Sequence, residues 1–193
     1  MKKTMMLLLL LAGIWAKGQN VSQGLAVGSN APAFTGKTQL GKTVKLSKML
    51  KKGPVVLLFY RGQWCPYCNR QLKAMQDSLQ LLTDKGAQVL AVTPETAENV
   101  GKTVGKTGAA FPIISDAGLA IMKAYDVAFE VDSKTVEKYK GYGIDFNVAN
   151  GSNGAMLPVP AVYIIGKDGL IKYRFFDKDY SKRPTVKELV GEL

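Results

Sequence analysis

Cys65 and Cys68 are the only two cysteines of the chain, which has no histidine at all. They stand two residues apart in FYRGQWCPYCNRQL, residues 59–72, behind a tryptophan and a short apolar run. Two sulfurs at that spacing suit a redox pair, half of a metal site or a structural staple. A structural zinc takes four ligands. With no further Cys and no His, only carboxylates or a second chain would complete the set, so no metal and no cofactor is expected. The lack of histidine also removes a Cys–His nucleophile and any imidazole general base. A staple gains little, because cross-link stabilisation grows with the length of the closed loop and this loop is very short.

Redox work fits better. Pro66 suits the first turn of a helix, where its missing N–H costs nothing, and this puts Cys65 near the N-cap. Unpaired N–H groups and the helix dipole stabilise a thiolate there. Cys65 is thus expected as the exposed nucleophile. Cys68 lies one turn in, on an apolar stripe with Leu72, Met75, Leu79 and Leu82, and is expected as the shielded, resolving partner. Arg61 and Arg70 stand near enough in sequence to add positive potential, or to be plain surface charge. Trp64 and Tyr67 flank the pair, as substrate contacts or as packing.

The elements that must position the pair follow from periodicity. PVVLLFY, residues 54–60, is a continuous apolar run bounded by Gly53 and Arg61-Gly62, the pattern of a strand buried on both faces. A helix follows from Pro66 to a stop at Gly86. KTVKLSKML before it reads as a short strand and turn. After it come a strand at 88–92, a weak helix, a short strand in AFPIISD and a short helix in AGLAIMKAYDV. Residues 129–158 form a long connection with one helix (SKTVEKYKGYG) and a Gly/Asn-rich segment; this is a substrate wall or a tolerated insertion. PAVYIIGKDGLIKYRFF reads as a hairpin, and TVKELVGEL as a closing helix. The expected fold class is α/β: a central mixed sheet flanked by helices, with the long insertion before the C-terminal hairpin. Sites in such sheets form beyond the carboxyl ends of the parallel strands, and Cys65 follows one of them.

The chain has 193 residues with 26 Lys and Arg against 15 Asp and Glu, a net +11. That length suits one domain. The basic residues are scattered rather than clustered, so they read as a solvated surface and no nucleic-acid partner is expected. Lys2 and Lys3 precede an apolar run at 5–16 that is too short to span a bilayer, which takes ~20 residues. It reads as an export signal over residues 1–18, with small residues at Ala16 and Gly18, followed by a domain over 19–193. The expected location is periplasmic or secreted, with no stable membrane span after signal removal. Disulfides persist there.

Around the cysteine pair the chain resembles the peroxiredoxin-like branch of the alkyl hydroperoxide reductase/thiol-specific antioxidant family, a branch of the thioredoxin-fold proteins. The matching pieces are PVVLLFYRGQWCPYC, QVLAVTPET, FPIISDAG…MKAYDV and VPAVYIIGKDGLIKYRF, in family order. The resemblance implies a thioredoxin-like sandwich with a cis-proline, Pro160, facing the pair and shaping a substrate groove. It also implies departures. Typical members carry Pro-x-x-x-Thr/Ser-x-x-Cys after the same strand; here Cys68 takes the peroxidatic position, Cys65 the Thr's and Arg61 the Pro's. The family's later arginine falls on Pro160, and the buried acid of typical thioredoxins falls on an apolar residue of residues 54–60.

Two activities follow. In thiol–disulfide exchange, Cys65 attacks a protein disulfide and Cys68 resolves it. In peroxide reduction, one thiolate attacks the O–O bond and the other cysteine condenses with the sulfenic acid; Arg61 would then orient the peroxide. Either needs a thiol electron donor. A non-enzymatic module with an inert disulfide is the remaining alternative.

Overall fold

The computed structural model of the chain describes residues 22–193. The expected export signal, residues 1–18, and the start of the expected domain lie outside the described residues. In chain order the elements are β1 (Thr35–Lys37), β2 (Thr43–Lys45), α1 (Leu46–Leu50), β3 (Val55–Phe59), α2 (Pro66–Asp77), α3 (Leu79–Thr83), β4 (Gln88–Thr93), α4 (Ala97–Thr107), β5 (Ile113–Ser115) and α5 (Ala120–Ala124). The insertion supplies β6 (Ala128–Glu130), α6 (Ser133–Gly141), α7 (Phe146–Asn150), a 3₁₀ turn and β7 (Met156–Pro158). β8 (Ala161–Ile165), β9 (Ile171–Phe176) and α8 (Val186–Gly191) close the chain.

Five strands make the central sheet in the order β5-β4-β3-β8-β9. β3, β4 and β5 run parallel, while β8 and β9 are antiparallel to their neighbours. This is the expected mixed sheet. β3 lies in the middle and is buried throughout, which is why its sequence is apolar without alternation. Successive side chains still point to opposite faces. Val56, Leu58 and Tyr60 join a cluster with Cys68, Leu72, Met75, Val100 and Leu189, beneath α2, α4 and α8. Val55, Leu57 and Phe59 join Leu46, Ile121, Met122 and Tyr125, beneath α1 and α5. Burying each such side chain stabilises the fold by about 1.5–3 kcal/mol.

The expected turn after residues 43–45 is the helix α1, because Leu46 buries itself under the sheet. The single helix expected from Pro66 to Gly86 breaks at Ser78 (φ −111°, ψ 16°) into α2 and α3. The Gly/Asn-rich segment is partly ordered by α7 and by β7, which pairs with β6 from Ala128↔Pro158 to Glu130↔Met156. The implied cis bond at Pro160 is not found: every described peptide bond is trans. The Val159 N–H donates to Val127 O and the Pro160 carbonyl accepts from Asp177 N–H, so the trans chain is tied on both sides; trans is also the favoured isomer. No described helix is long and apolar enough to cross a membrane.

Candidate active site

Cys65 caps α2. Its backbone is extended (φ −87°, ψ 111°), Pro66 occupies the first turn, and its sulfur accepts from the Cys68 N–H at 3.4 Å. The turn before it is pinned by Asn69, whose Nδ2 donates to Gln63 O at 2.8 Å. The two sulfurs lie 2.6 Å apart as free thiols. One feature overturns an expectation: Cys65 is not exposed. It is 1% accessible, Cys68 0%, because both sit in the apolar cluster of Tyr60 and Leu72 with Trp64 and Tyr67 packed over it.

The inner sulfur is the one with a guanidinium beside it. Burial opposes a Cys68 thiolate, but the Cys65 thiol, the Arg183 guanidinium and the Arg61 backbone N–H outweigh it and push Cys68 down to about 6. Arg183 Nη2 lies 3.3 Å from Cys68 Sγ, and its Nε donates to Gln71 Oε1 at 2.8 Å, which fixes the fork over the sulfur. Cys65 moves the opposite way. Its hydrogen bond to Cys68 and its burial hold the proton on. The contact between the two sulfurs thus lowers the Cys68 thiol and raises that of Cys65.

The other sequence candidates form the surroundings. Arg61 is buried, 4% accessible, and its guanidinium lies 4.5 Å from the Tyr180 ring centroid, 5.0 Å from Trp64 and 5.4 Å from Tyr139. Its Nη2 donates to the Tyr139 hydroxyl. Trp64 makes edge contacts with Tyr139 and Phe146 of the insertion, so the catalytic turn and the insertion share one aromatic cluster. Tyr67 packs against Tyr180. Arg70 is exposed and lies over Tyr67. Pro160 and Arg61 line a pocket of about 770 Å³ walled by β6, β7, α6, Lys178 and Tyr180. The insertion is thus a pocket wall. Trp64, Tyr67 and the cysteines are not among the lining residues.

Two functional residues have no signal near the cysteines in sequence. Arg183 comes from the loop before α8. Glu95 follows β4 and is fully buried; both its oxygens accept from the Gln63 N–H, each at 2.9 Å. Burial pushes its carboxyl up to about 8 against the pull of that N–H, and the Cys68 charge adds to the rise. Glu95 also explains Gly62: a Cβ there would lie 2.7 Å from Glu95 Oε1 and 2.5 Å from Trp64 Nε1. A parallel strand ending in TPET beside the cysteine turn was the available clue.

Residues 27–174 match the model of the AhpC/TSA family. Wheat (Triticum aestivum) chloroplastic peroxiredoxin Q is 31% identical over 146 residues, 76% of this chain; the chain spans only 57% of that protein's length. Thiol-disulfide oxidoreductase ResA of Geobacillus thermodenitrificans is 29% identical over 175 residues, covering 88% of this chain and 83% of that one. The crystal structure of peroxidoxin BcpB from Mycobacterium tuberculosis superposes with a TM-score of 0.67 at 16% identity, over 86% of this chain and 94% of that one, and so shares the fold. The chain belongs to the AhpC/TSA family and has a thioredoxin-like fold.

Proposed function

We propose that the protein is a thiol peroxidase acting on a small hydroperoxide, with Cys68 as the attacking thiolate and Cys65 as the resolving thiol. The observation that carries this is the placement of the charge: Arg183 and the Cys65 thiol stabilise a thiolate on Cys68. Burial of both sulfurs supports a small substrate, since a protein disulfide needs an exposed sulfur for in-line attack. The Cys68 sulfur attacks one oxygen of the O–O bond. The bond breaks, the sulfur is oxidised to a sulfenic acid, and the departing alkoxide or hydroxide takes a proton to leave as alcohol or water. Cys65 Sγ then attacks the sulfenic sulfur and expels water, giving the disulfide. A thiol donor returns two electrons and two protons.

Rapid mixing of the reduced protein with hydrogen peroxide tests this. The expected result is oxidation faster than that of a free thiol. Cys68→Ser abolishes it, and Cys65→Ser retains one turnover that stops at a sulfenic acid. Retained peroxide consumption in Cys68→Ser would overturn the assignment.

Thiol–disulfide exchange through Cys65 is the second reading. It is favoured by the N-cap placement of Cys65 and by the similarity to a relative named a thiol-disulfide oxidoreductase. It predicts a trapped mixed disulfide on Cys65 in Cys68→Ser. Export is proposed from the charged start and apolar run of residues 1–18, with a mature domain beginning at Gln19. Fractionation of the native host would place the protein outside the cytosol.

A further inference from the structure

The pocket beside Pro160 is far larger than hydrogen peroxide needs. Its volume of about 770 Å³ falls within the range of sites for small organic molecules. Its walls are largely apolar: Phe129, Val131, Met156, Pro158 and Val159. Arg61 is the one guanidinium that lines it.

Arg61 is unusual in its partners. It is 4% accessible, yet none of the ion pairs among the described residues includes it. Its Nε is buried with no hydrogen-bond partner, while Nη2 is held by the Tyr139 hydroxyl. Three aromatic rings hold the charge in place. Cation–π contacts offset part of its desolvation, but a buried guanidinium without an anion remains costly. The acids on the pocket wall do not neutralise it. Asp132 is exposed and spends Oδ1 capping α6 through the Thr135 N–H, and Glu130 is exposed. Lys178 adds a second positive group to the lining.

We propose that this pocket binds a small organic carboxylate, its apolar body against the insertion wall and its carboxylate on Arg61. Arg61 is then the ligand-anchoring group of this pocket.

Calorimetric titration of the reduced full chain with octanoate and with octan-1-ol separates charge recognition from apolar burial. Octanoate is expected to bind saturably and at least about tenfold more tightly than the alcohol, as a charge-assisted hydrogen bond implies. Arg61→Gln should bring octanoate down to the alcohol's affinity. Ala128→Met, which narrows the pocket with Arg61 intact, should weaken both ligands; it keeps the test open if the Arg61 variant fails to fold. Equal binding of octanoate and octanol, or no octanoate binding at millimolar concentration, would overturn the proposal. Octanoate binding without any peroxidase activity would sink the peroxidase reading and leave the site standing. Peroxide turnover without octanoate binding would do the reverse.

Discussion

Replacing Glu95 with glutamine keeps the size of the side chain and one acceptor for the Gln63 N–H, and removes the titration. Burial raises the native carboxyl to about 8 from an ordinary 4.5. Between these two values the folded protein holds a proton that the unfolded chain has released. Native stability therefore falls as pH rises, by about 1.4 kcal/mol per pH unit for one proton. The contribution of neutral Glu95 is fully present below pH 4.5 and is lost as pH rises through 8, a span of up to about 5 kcal/mol. Glu95→Gln has no such loss. Cys68 and every other titrating group are common to both proteins, so the difference between their stabilities isolates Glu95. Urea unfolding of the reduced proteins, followed by circular dichroism, should give similar stabilities at pH 5. The variant should lead by about 3 kcal/mol at pH 7.5. Parallel stability curves would refute the reasoning and show that Glu95 is ionised in the folded protein.

Arg183→Met removes the guanidinium 3.3 Å from the Cys68 sulfur. The thiolate midpoint should rise by about 1 pH unit or more, and ultraviolet thiolate absorbance would read it; an unchanged midpoint would assign the low value to the Cys65 thiol alone. Alkylation at pH 7 should slow in step, as the ionised fraction falls from roughly nine-tenths to half. Gly53→Ala would put a methyl 2.0 Å from the Gly86 carbonyl oxygen and should destabilise the fold by about 3 kcal/mol or more in thermal unfolding. Gly101→Ala, exposed in α4 with nothing within 4 Å, should stabilise it by about 0.5–1 kcal/mol; a gain at Gly53 would contradict the packing.

The framework was legible where a local rule decides the outcome. Unbroken apolarity marked β3, proline at the first turn marked the start of α2 and the N-cap role of Cys65, and the Lys-Asp-Gly turn marked the β8–β9 hairpin. The break at Ser78 was hidden because the apolar stripe runs on across it, from Leu72 and Met75 before it to Leu79 and Leu82 after it. Within the site, the cysteines, Arg61, Trp64 and Tyr67 were legible as one contiguous motif, and Pro160 only through the family resemblance. Arg183 lies 115 residues from Cys68 and Glu95 lies 32 from Gln63, so no spacing rule connects them. The exposure of Cys65 was misjudged for the same reason. A helix start is open by itself, and what closes this one is an aromatic cluster assembled from Trp64 and a distant insertion.

That insertion leaves and rejoins the core at one place, since Ala128 and Pro158 face each other across β6 and β7. The segment between them adds no strand to the central sheet. Selectivity is in this sense a replaceable cassette, while the sulfur chemistry belongs to the frame. The separation is incomplete, because Tyr139 and Phe146 of the cassette brace Trp64 beside Cys65, and Asn153 donates to the Pro94 and Asp116 carbonyls just past β4 and β5. A lineage that exchanges the cassette must therefore retain two aromatic side chains at those points, or accept a looser catalytic turn as the cost of a new substrate.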